Sequence, residues 1–167
     1  MSEEFWEPFW EKLKEIYERE DKNTEAYDSE QPILEAVLKR IKESLKDVYD
    51  FVEPIGRGGA GIVIQLKDKR LNFDRALKIP RPKEEALIES VKNEIKYLTT
   101  ITHENIISIY ALGDVEIPNH LHPYPYFVMD YIEGAQTLRS KTSELLDSAK
   151  ESKEQLEITK WVLDRVY

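Results

Sequence analysis

The sequence predicts an α+β fold in which a five-stranded antiparallel sheet follows two N-terminal helices. Apolar residues recur every three or four positions over residues 4–20 and 29–46, which is the spacing of amphipathic helices. From Tyr49 the apolar residues fall at near-alternate positions instead, as they do in strands. The predicted order is two helices, three strands, a helix, two strands and further helices. Because strands and helices do not alternate one by one, this order favours an antiparallel sheet over a parallel one.

The first predicted helix, residues 4–20, has an unusually aromatic face. We expect this face to pack on the body of the same domain, and docking to a protein partner is the alternative. Acidic residues crowd the same turns, where helices that lie on membranes usually carry Lys and Arg, so no membrane contact is expected. The residues of this face are Phe5, Trp6, Phe9, Trp10, Leu13, Ile16 and Tyr17.

The polar run Asp21–Glu30 is interpreted as a linker, and a second helix is predicted from Ser29 to about Lys46. Ser29 is the candidate N-cap, and Pro32 then falls in the first turn, where a proline is tolerated. The predicted buried stripe of this helix consists of Ile33, Leu34, Val37, Leu38, Ile41 and Leu45.

Three short strands are predicted next, at residues 49–55, Ile62–Leu66 and Arg75–Ile79, and the first two form a hairpin. Pro82 then begins a helix that runs from about Lys83 to Thr100. The inner face of this helix is predicted to carry Ala86, Leu87, Val91, Ile95 and Leu98.

The last two strands are predicted at Ile106–Leu112 and Tyr126–Ile132, with a proline-containing loop, Gly113–Pro125, between them. After Gly134 the chain is predicted to become helical again, at Thr137–Leu146 and Lys153–Tyr167. The predicted domains are a helical N-terminal extension, a sheet-containing lobe and the start of a further helical lobe, at residues 1–47, 48–135 and 136–167.

The composition excludes several classes of protein. With 33 acidic and 24 basic residues, the net charge is −9. Binding to nucleic acid or to anionic lipid requires a cluster of positive charge, so neither is expected as a partner. The absence of cysteine excludes disulfides, thiol nucleophiles and Cys-ligated metals. The first residues are acidic where a secretory signal is basic, and no apolar run approaches the ~20 residues that span a bilayer. A cytoplasmic location is therefore expected.

The stretch Ile55–Val63 places glycines at Gly56, Gly58 and Gly61, where backbone N–H groups can approach an anion without an intervening Cβ. A dinucleotide-binding fingerprint requires a helix after the glycines, and the residues that follow are strand-like. A Walker-type loop requires Lys and then Ser or Thr after its last glycine, where Ile62 and Val63 stand. A glycine-rich hairpin over a nucleotide, with a lysine on the next strand reaching the phosphates, fits this context.

These features together resemble the N-terminal lobe of eukaryotic-type Ser/Thr protein kinases, over about residues 49–138. The combination is specific, although each motif alone is weak. The matching residues are Gly56, Gly58, Gly61 and Val63 in the glycine motif, Ala76, Leu77 and Lys78 on the third strand, Glu94 on the helix, His103, Asn105 and Ile106 in the following turn, and FVMDYIEG at residues 127–134.

The resemblance implies that the ligand is ATP and that Lys78 neutralises phosphate charge while an ion pair with Glu94 holds it in place. Met129 would be the gatekeeper, and the backbone of Asp130 and Ile132 would hydrogen-bond adenine, so the hinge side chains are expected to carry little information. The base would lie between Ile55, Val63 and Ala76, and the phosphates under Gly56, Gly58 and Gly61.

The resemblance also implies parts that do not occur in this sequence. In kinases the catalytic Asp and the Asn and Asp that hold Mg²⁺ lie in HRD and DFG motifs, and neither motif is present. We therefore expect this chain alone to bind ATP weakly, to use Mg²⁺ only with a second lobe, and to transfer no phosphate. An apolar face on the last helix favours self-association, as a homodimer or a domain swap.

Two main hypotheses about function differ in class. The first is the ATP-binding half of a Ser/Thr-type protein kinase, whose full-length form would phosphorylate a protein substrate. The alternative is a non-catalytic, kinase-like interaction module, and a small-molecule kinase of related fold is a third hypothesis. The intact set of Lys78, Glu94 and the three glycines favours the first, because a scaffold has no physical need for it. His103, His120 and His122 are interpreted as turn and loop residues, not metal ligands.

Overall fold

A computed structural model describes residues 3–21, 24–58, 61–82, 85–118, 120 and 122–134. The chain divides into two compact units, residues 1–131 and 132–167. The helices predicted at Thr137–Leu146 and Lys153–Tyr167 lie outside the described residues. The described helices and strands are α1 (Glu3–Asp21), α2 (Thr24–Leu45), β1 (Tyr49–Arg57), β2 (Gly61–Asp68), β3 (Asp74–Pro80), α3 (Glu85–Thr100), β4 (Ile109–Val115) and β5 (Tyr124–Asp130).

The five strands form one sheet in the order β1-β2-β3-β5-β4, and every neighbouring pair is antiparallel. The single helix α3 lies between β3 and β4 in the sequence. This arrangement confirms the predicted α+β class with one helix inside the sheet-containing lobe.

One face of the sheet is apolar and is covered by the two N-terminal helices. Residues directly opposite each other in an antiparallel pair point to the same face. Ile62 lies opposite Ile79, and Ile64 lies opposite Leu77. All four side chains are fully buried and belong to one core cluster with side chains of α1 and α2. We call this side of the sheet the helix-covered face.

The aromatic residues of α1 pack inside the chain, which confirms the packing interpretation of this helix. Phe9 is 3% exposed and Tyr17 is fully buried. The rings of Trp6 and Trp10 stack with their centroids 5.4 Å apart. The ammonium of Lys42, on α2, lies 3.1 Å from the ring centroid of Phe5, a cation–π contact that joins the two helices. The chain's own residues thus occupy most of the face that the docking alternative would need.

The predicted linker over Asp21–Glu30 is wrong, because α2 begins at Thr24. Ser29 is not an N-cap, since its hydroxyl donates a hydrogen bond to the carbonyl of Ala26 within the helix. Pro32 therefore lies in the helix interior, where a proline removes one backbone hydrogen bond. Tertiary contacts of the first turns offset this cost, and among them the buried Tyr27 donates a hydrogen bond to the carbonyl of Trp10.

The predicted bounds of β4 and β5 are also wrong, although both strands exist. Strand β4 covers Ile109–Val115, three residues later than predicted, and β5 covers Tyr124–Asp130, two residues earlier. Ile106, the first residue of the predicted strand, instead closes a turn, because its N–H donates to the carbonyl of His103. The predicted loop between the strands is correspondingly shorter.

Candidate functional site

Candidate residues from four strands lie together on the second face of the sheet. Gly56 lies opposite Val63 on β2, and Val63 lies opposite Lys78 on β3. Ala76, two positions before Lys78, lies opposite Met129 on β5. Since side chains alternate along a strand, these residues all belong to one face. We call it the lysine face.

An ion pair between Lys78 and Glu94 joins the lysine face to α3. The Nζ atom of Lys78 lies 2.7 Å from both carboxylate oxygens of Glu94. The two side chains are only 19% and 31% exposed, so water screens their attraction less than it does for a surface pair. The buried Ile88 and Val91 fix α3 on the body of the fold. The pair that the kinase resemblance implies is therefore present, and it holds a cation at the lysine face.

The β1–β2 hairpin is closed by a backbone hydrogen bond from the N–H of Gly58 to the carbonyl of Gly61, 2.8 Å long. Residues 59 and 60, at its tip, lie outside the described part of the chain. A Cβ at Gly61 would lie less than 3.0 Å from the backbone carbonyl of Ile79, whereas one at Gly56 or Gly58 would meet nothing within 4 Å. Of the three described glycines of this hairpin, Gly61 is therefore the one at which packing requires glycine. Ile55 is half-buried, where the β1–β2 register shifts.

At the predicted hinge, the side chain of Asp130 has a structural role that the sequence interpretation missed. Its carboxylate accepts hydrogen bonds from the N–H of Ser108, at 2.8 Å, and from the hydroxyl of Tyr110, at 2.7 Å. The backbone N–H of Asp130 also donates to the carbonyl of Ser108. These bonds fasten the end of β5 to the beginning of β4. Ile132 belongs to the second compact unit and is 58% exposed.

The surroundings of the Asp130 carboxylate favour its charged form. Burial raises its pKa, but the hydrogen bonds from Tyr110 and Ser108 and the charge of Arg75 outweigh burial, so the pKa lies below its usual value of 3.8. The guanidinium of Arg75 lies 3.8 Å from the ring centroid of Tyr110, so this cluster also contains a cation–π contact.

Because the pKa of Asp130 is lower in the folded chain, its contribution to stability is present above pH ~4 and is lost as the pH falls through the folded-state value. We therefore expect Asp130→Asn to lower the urea midpoint at pH 7 and to reduce the fall of that midpoint at acid pH. The matched control is Asp114→Asn, which changes an exposed carboxylate on β4. Parallel curves of midpoint against pH for the wild type and Asp130→Asn would contradict this role.

The histidines do not assemble a metal site in the described residues. The Nδ1 atom of His103 accepts a hydrogen bond from the N–H of Asn105, as expected for a turn residue. Nδ1 of His120 lies 3.2 Å from the hydroxyl of Tyr124. Across the described ranges there is no group of three or more His, Asp or Glu that could hold a metal ion. None of the described helices combines the length and apolarity needed to cross a membrane.

Comparison with known proteins finds protein kinases among the relatives of this chain. No family model matches the chain. Over 100 residues, or 58% of this chain, it is 33% identical to serine/threonine-protein kinase PknB of Mycolicibacterium smegmatis, and the match covers 16% of that kinase. The match to PknB of Mycobacterium tuberculosis H37Rv is 33% identical over 98 residues and covers 57% of this chain and 15% of the kinase. Calcium-dependent protein kinase 5 of Plasmodium falciparum is 32% identical over 91 residues, 54% of this chain and 16% of that kinase.

The aligned part therefore spans about one sixth of the length of these relatives. The homologues are Ser/Thr protein kinases, and the described sheet with α3 has the α+β fold of a kinase N-terminal lobe.

Proposed function

We propose that this chain is the ATP-binding N-terminal lobe of a Ser/Thr-type protein kinase. The observation that carries the proposal is the two-oxygen ion pair of Lys78 with Glu94, on the same sheet face as Gly56. A half-buried ammonium held beside a glycine-containing hairpin suits a phosphate, because the cation offsets phosphate charge and the glycines let the backbone approach it. In a chain with a net charge of −9, such a local cation is needed to attract a polyanion.

Each part of the lysine face has a distinct task in this proposal. Lys78 binds the α- and β-phosphates, and Glu94 orients its ammonium. Gly56 and Gly58 leave room above the phosphates, since a Cβ there would meet no neighbour within 4 Å. The half-buried Val63 and the buried Ala76 offer apolar surface to the adenine ring.

The backbone after Met129 presents the hydrogen-bonding groups for the edge of the base. Asp130 keeps this backbone in position, because its side chain is bonded to Ser108 and Tyr110 on β4. Bound ATP supplies the γ-phosphoryl group that a full-length kinase transfers to a protein hydroxyl. The residues of this chain bind and orient the nucleotide.

The proposal is tested by measuring ATP binding to the full 167-residue chain by calorimetry, for the wild type and for Lys78→Met. We expect Lys78→Met to weaken ATP binding about tenfold or more, the effect of losing one charge-assisted contact to phosphate. The affinity for adenosine, which has no phosphate, should change less than about twofold, because Lys78 acts on the phosphates.

The matched control is Lys67→Met. Lys67 lies four residues after Val63 on β2, faces the same side, and pairs with Asp74 at 3.3 Å. The Lys67→Met variant should bind ATP with the same affinity as the wild type. Equal affinities for Lys78→Met and Lys67→Met would contradict the assignment of Lys78. A wild-type chain that binds no ATP at millimolar concentration would instead favour the kinase-like interaction module.

A further inference from the structure

A buried carboxylate on α2 connects the helical extension to the sheet. Glu30 is 4% exposed. Its Oε2 atom accepts a hydrogen bond from the hydroxyl of Tyr17, on α1, at 2.6 Å. Its Oε1 atom lies 2.7 Å from Nη2 of Arg81, directly after β3. Both oxygens are thus engaged, and a buried charge held in this way is costly to disturb.

The same cluster reaches the glycine-rich hairpin through Arg57. This residue stands between Gly56 and Gly58 in the sequence and is 5% exposed. Arg57 lies opposite Ile62, so its side chain leaves the sheet on the helix-covered face, away from Lys78. There its guanidinium lies 4.1 Å from the ring centroid of Tyr17. Burial and the neighbouring Glu30 raise the pKa of Tyr17, so its hydroxyl stays a neutral donor at pH 7.

Both ends of the hairpin tip lie next to a residue of this network. At the first end, Arg57 precedes Gly58, whose N–H closes the hairpin on Gly61. At the second end, Gly61 pairs with Pro80, and Arg81 follows Pro80 directly. The carboxylate of Glu30 is therefore connected to the segment before the tip through Tyr17 and to the end of β3 through Arg81.

We propose that Glu30 and Tyr17 are positioning residues, through which the helical extension orders the glycine-rich hairpin and sets the affinity of the nucleotide site. This inference rests on the proposed ATP binding for its functional part only. An ordered hairpin binds a ligand more tightly because less conformational entropy is lost on binding. Changes in the packing of α1 and α2 would then be transmitted to the site on the opposite face of the sheet.

The test compares Glu30→Gln with Glu35→Gln in the full chain. Glu35 is on the same helix and is also paired with a basic residue, Lys39, but its side chain is 40% exposed. We expect Glu30→Gln to accelerate hydrogen exchange at Gly58 and Gly61 about tenfold relative to the amides of β5, and to weaken ATP binding about tenfold. Glu35→Gln should leave both quantities within about twofold of the wild type.

Tyr17→Phe is the second variant, because it removes only the hydroxyl and keeps the ring beside Arg57. Tyr17→Phe should also accelerate hydrogen exchange in the hairpin and weaken ATP binding, each by about threefold. Equal acceleration of the hairpin and β5 amides would show a general loss of stability and would overturn the positioning role, as would unchanged exchange in Glu30→Gln.

The hydrogen-exchange measurement needs no nucleotide, so it tests whether Glu30 and Tyr17 order the hairpin independently of the proposed ATP binding. If the wild type binds no ATP while hairpin exchange still depends on Glu30, the proposed function fails and the ordering of the hairpin stands. If ATP binds and its affinity does not respond to Glu30→Gln, the proposed function stands and this inference is wrong.

Discussion

Replacing Phe9 by alanine is expected to lower the free energy of unfolding by about 3–5 kcal/mol, the cost of deleting a buried aromatic ring. Phe9 is 3% exposed. Its ring centroid lies 5.3 Å from that of Trp6 and 5.2 Å from that of Trp10, both in edge-to-face geometry. The substitution removes ring contacts as well as buried area, which adds to the cost. Urea denaturation of the full chain, followed by circular dichroism, measures the effect.

The matched control is Phe73→Ala, because Phe73 is 58% exposed. We expect it to cost less than about 1 kcal/mol. Since a loss of 3–5 kcal/mol can exceed half the stability of a small domain, Phe9→Leu is the milder variant, expected to cost about 1 kcal/mol. Equal effects of the two alanine variants would show that the aromatic face is not packed and would revive the docking alternative.

Gly61→Ala is expected to cost about 1–3 kcal/mol of stability, because the new Cβ would collide with a backbone atom. It would lie less than 3.0 Å from the carbonyl oxygen of Ile79, on the neighbouring strand β3. A backbone atom cannot turn away as a side chain can, so β2 and β3 must separate locally. The thermal midpoint of the full chain, with and without ATP, measures the effect.

Gly56→Ala and Gly58→Ala are the controls within the same motif. Neither added Cβ would meet an atom within 4 Å, so stability should stay within about 0.5 kcal/mol of the wild type. ATP binding should nevertheless weaken in both, because the Cβ would occupy space that the proposed function gives to the phosphates. A loss of stability at Gly56 or Gly58 equal to that at Gly61 would contradict the steric explanation.

The parts of the fold that were predictable are those that depend on local patterns. Alternation of apolar residues located β1, β2 and β3, and helical spacing located the buried face of α1. The pairing of Lys78 with Glu94 was implied by the resemblance to protein kinases, and the structure contains it. These patterns can be recognised in a sequence because the residues on one face of a helix or strand share the same surroundings.

The parts that were not predictable depend on contacts between residues distant in sequence. The start of α2 at Thr24 reflects the contacts of Tyr27 and Glu30, and Glu30 pairs with a residue 51 positions away. The start of β4 reflects the hydrogen bonds that Ser108 and Tyr110 donate to the carboxylate of Asp130, which is 22 and 20 positions away. The sequence around a single polar residue does not show which distant residue it will contact. Predictions from local propensity therefore misplace the starts of α2 and β4.

Removal of α1 and α2 would uncover the side chains of Ile62, Ile64, Leu77 and Ile79. A polypeptide beginning at Tyr49 would contain the complete sheet, yet it would expose a continuous aliphatic surface of the kind that chaperones bind and that drives aggregation. We therefore expect a fragment that begins at Tyr49 to aggregate more readily than the full chain. In this protein α1 and α2 shield the helix-covered face of the sheet from water and from other polypeptides.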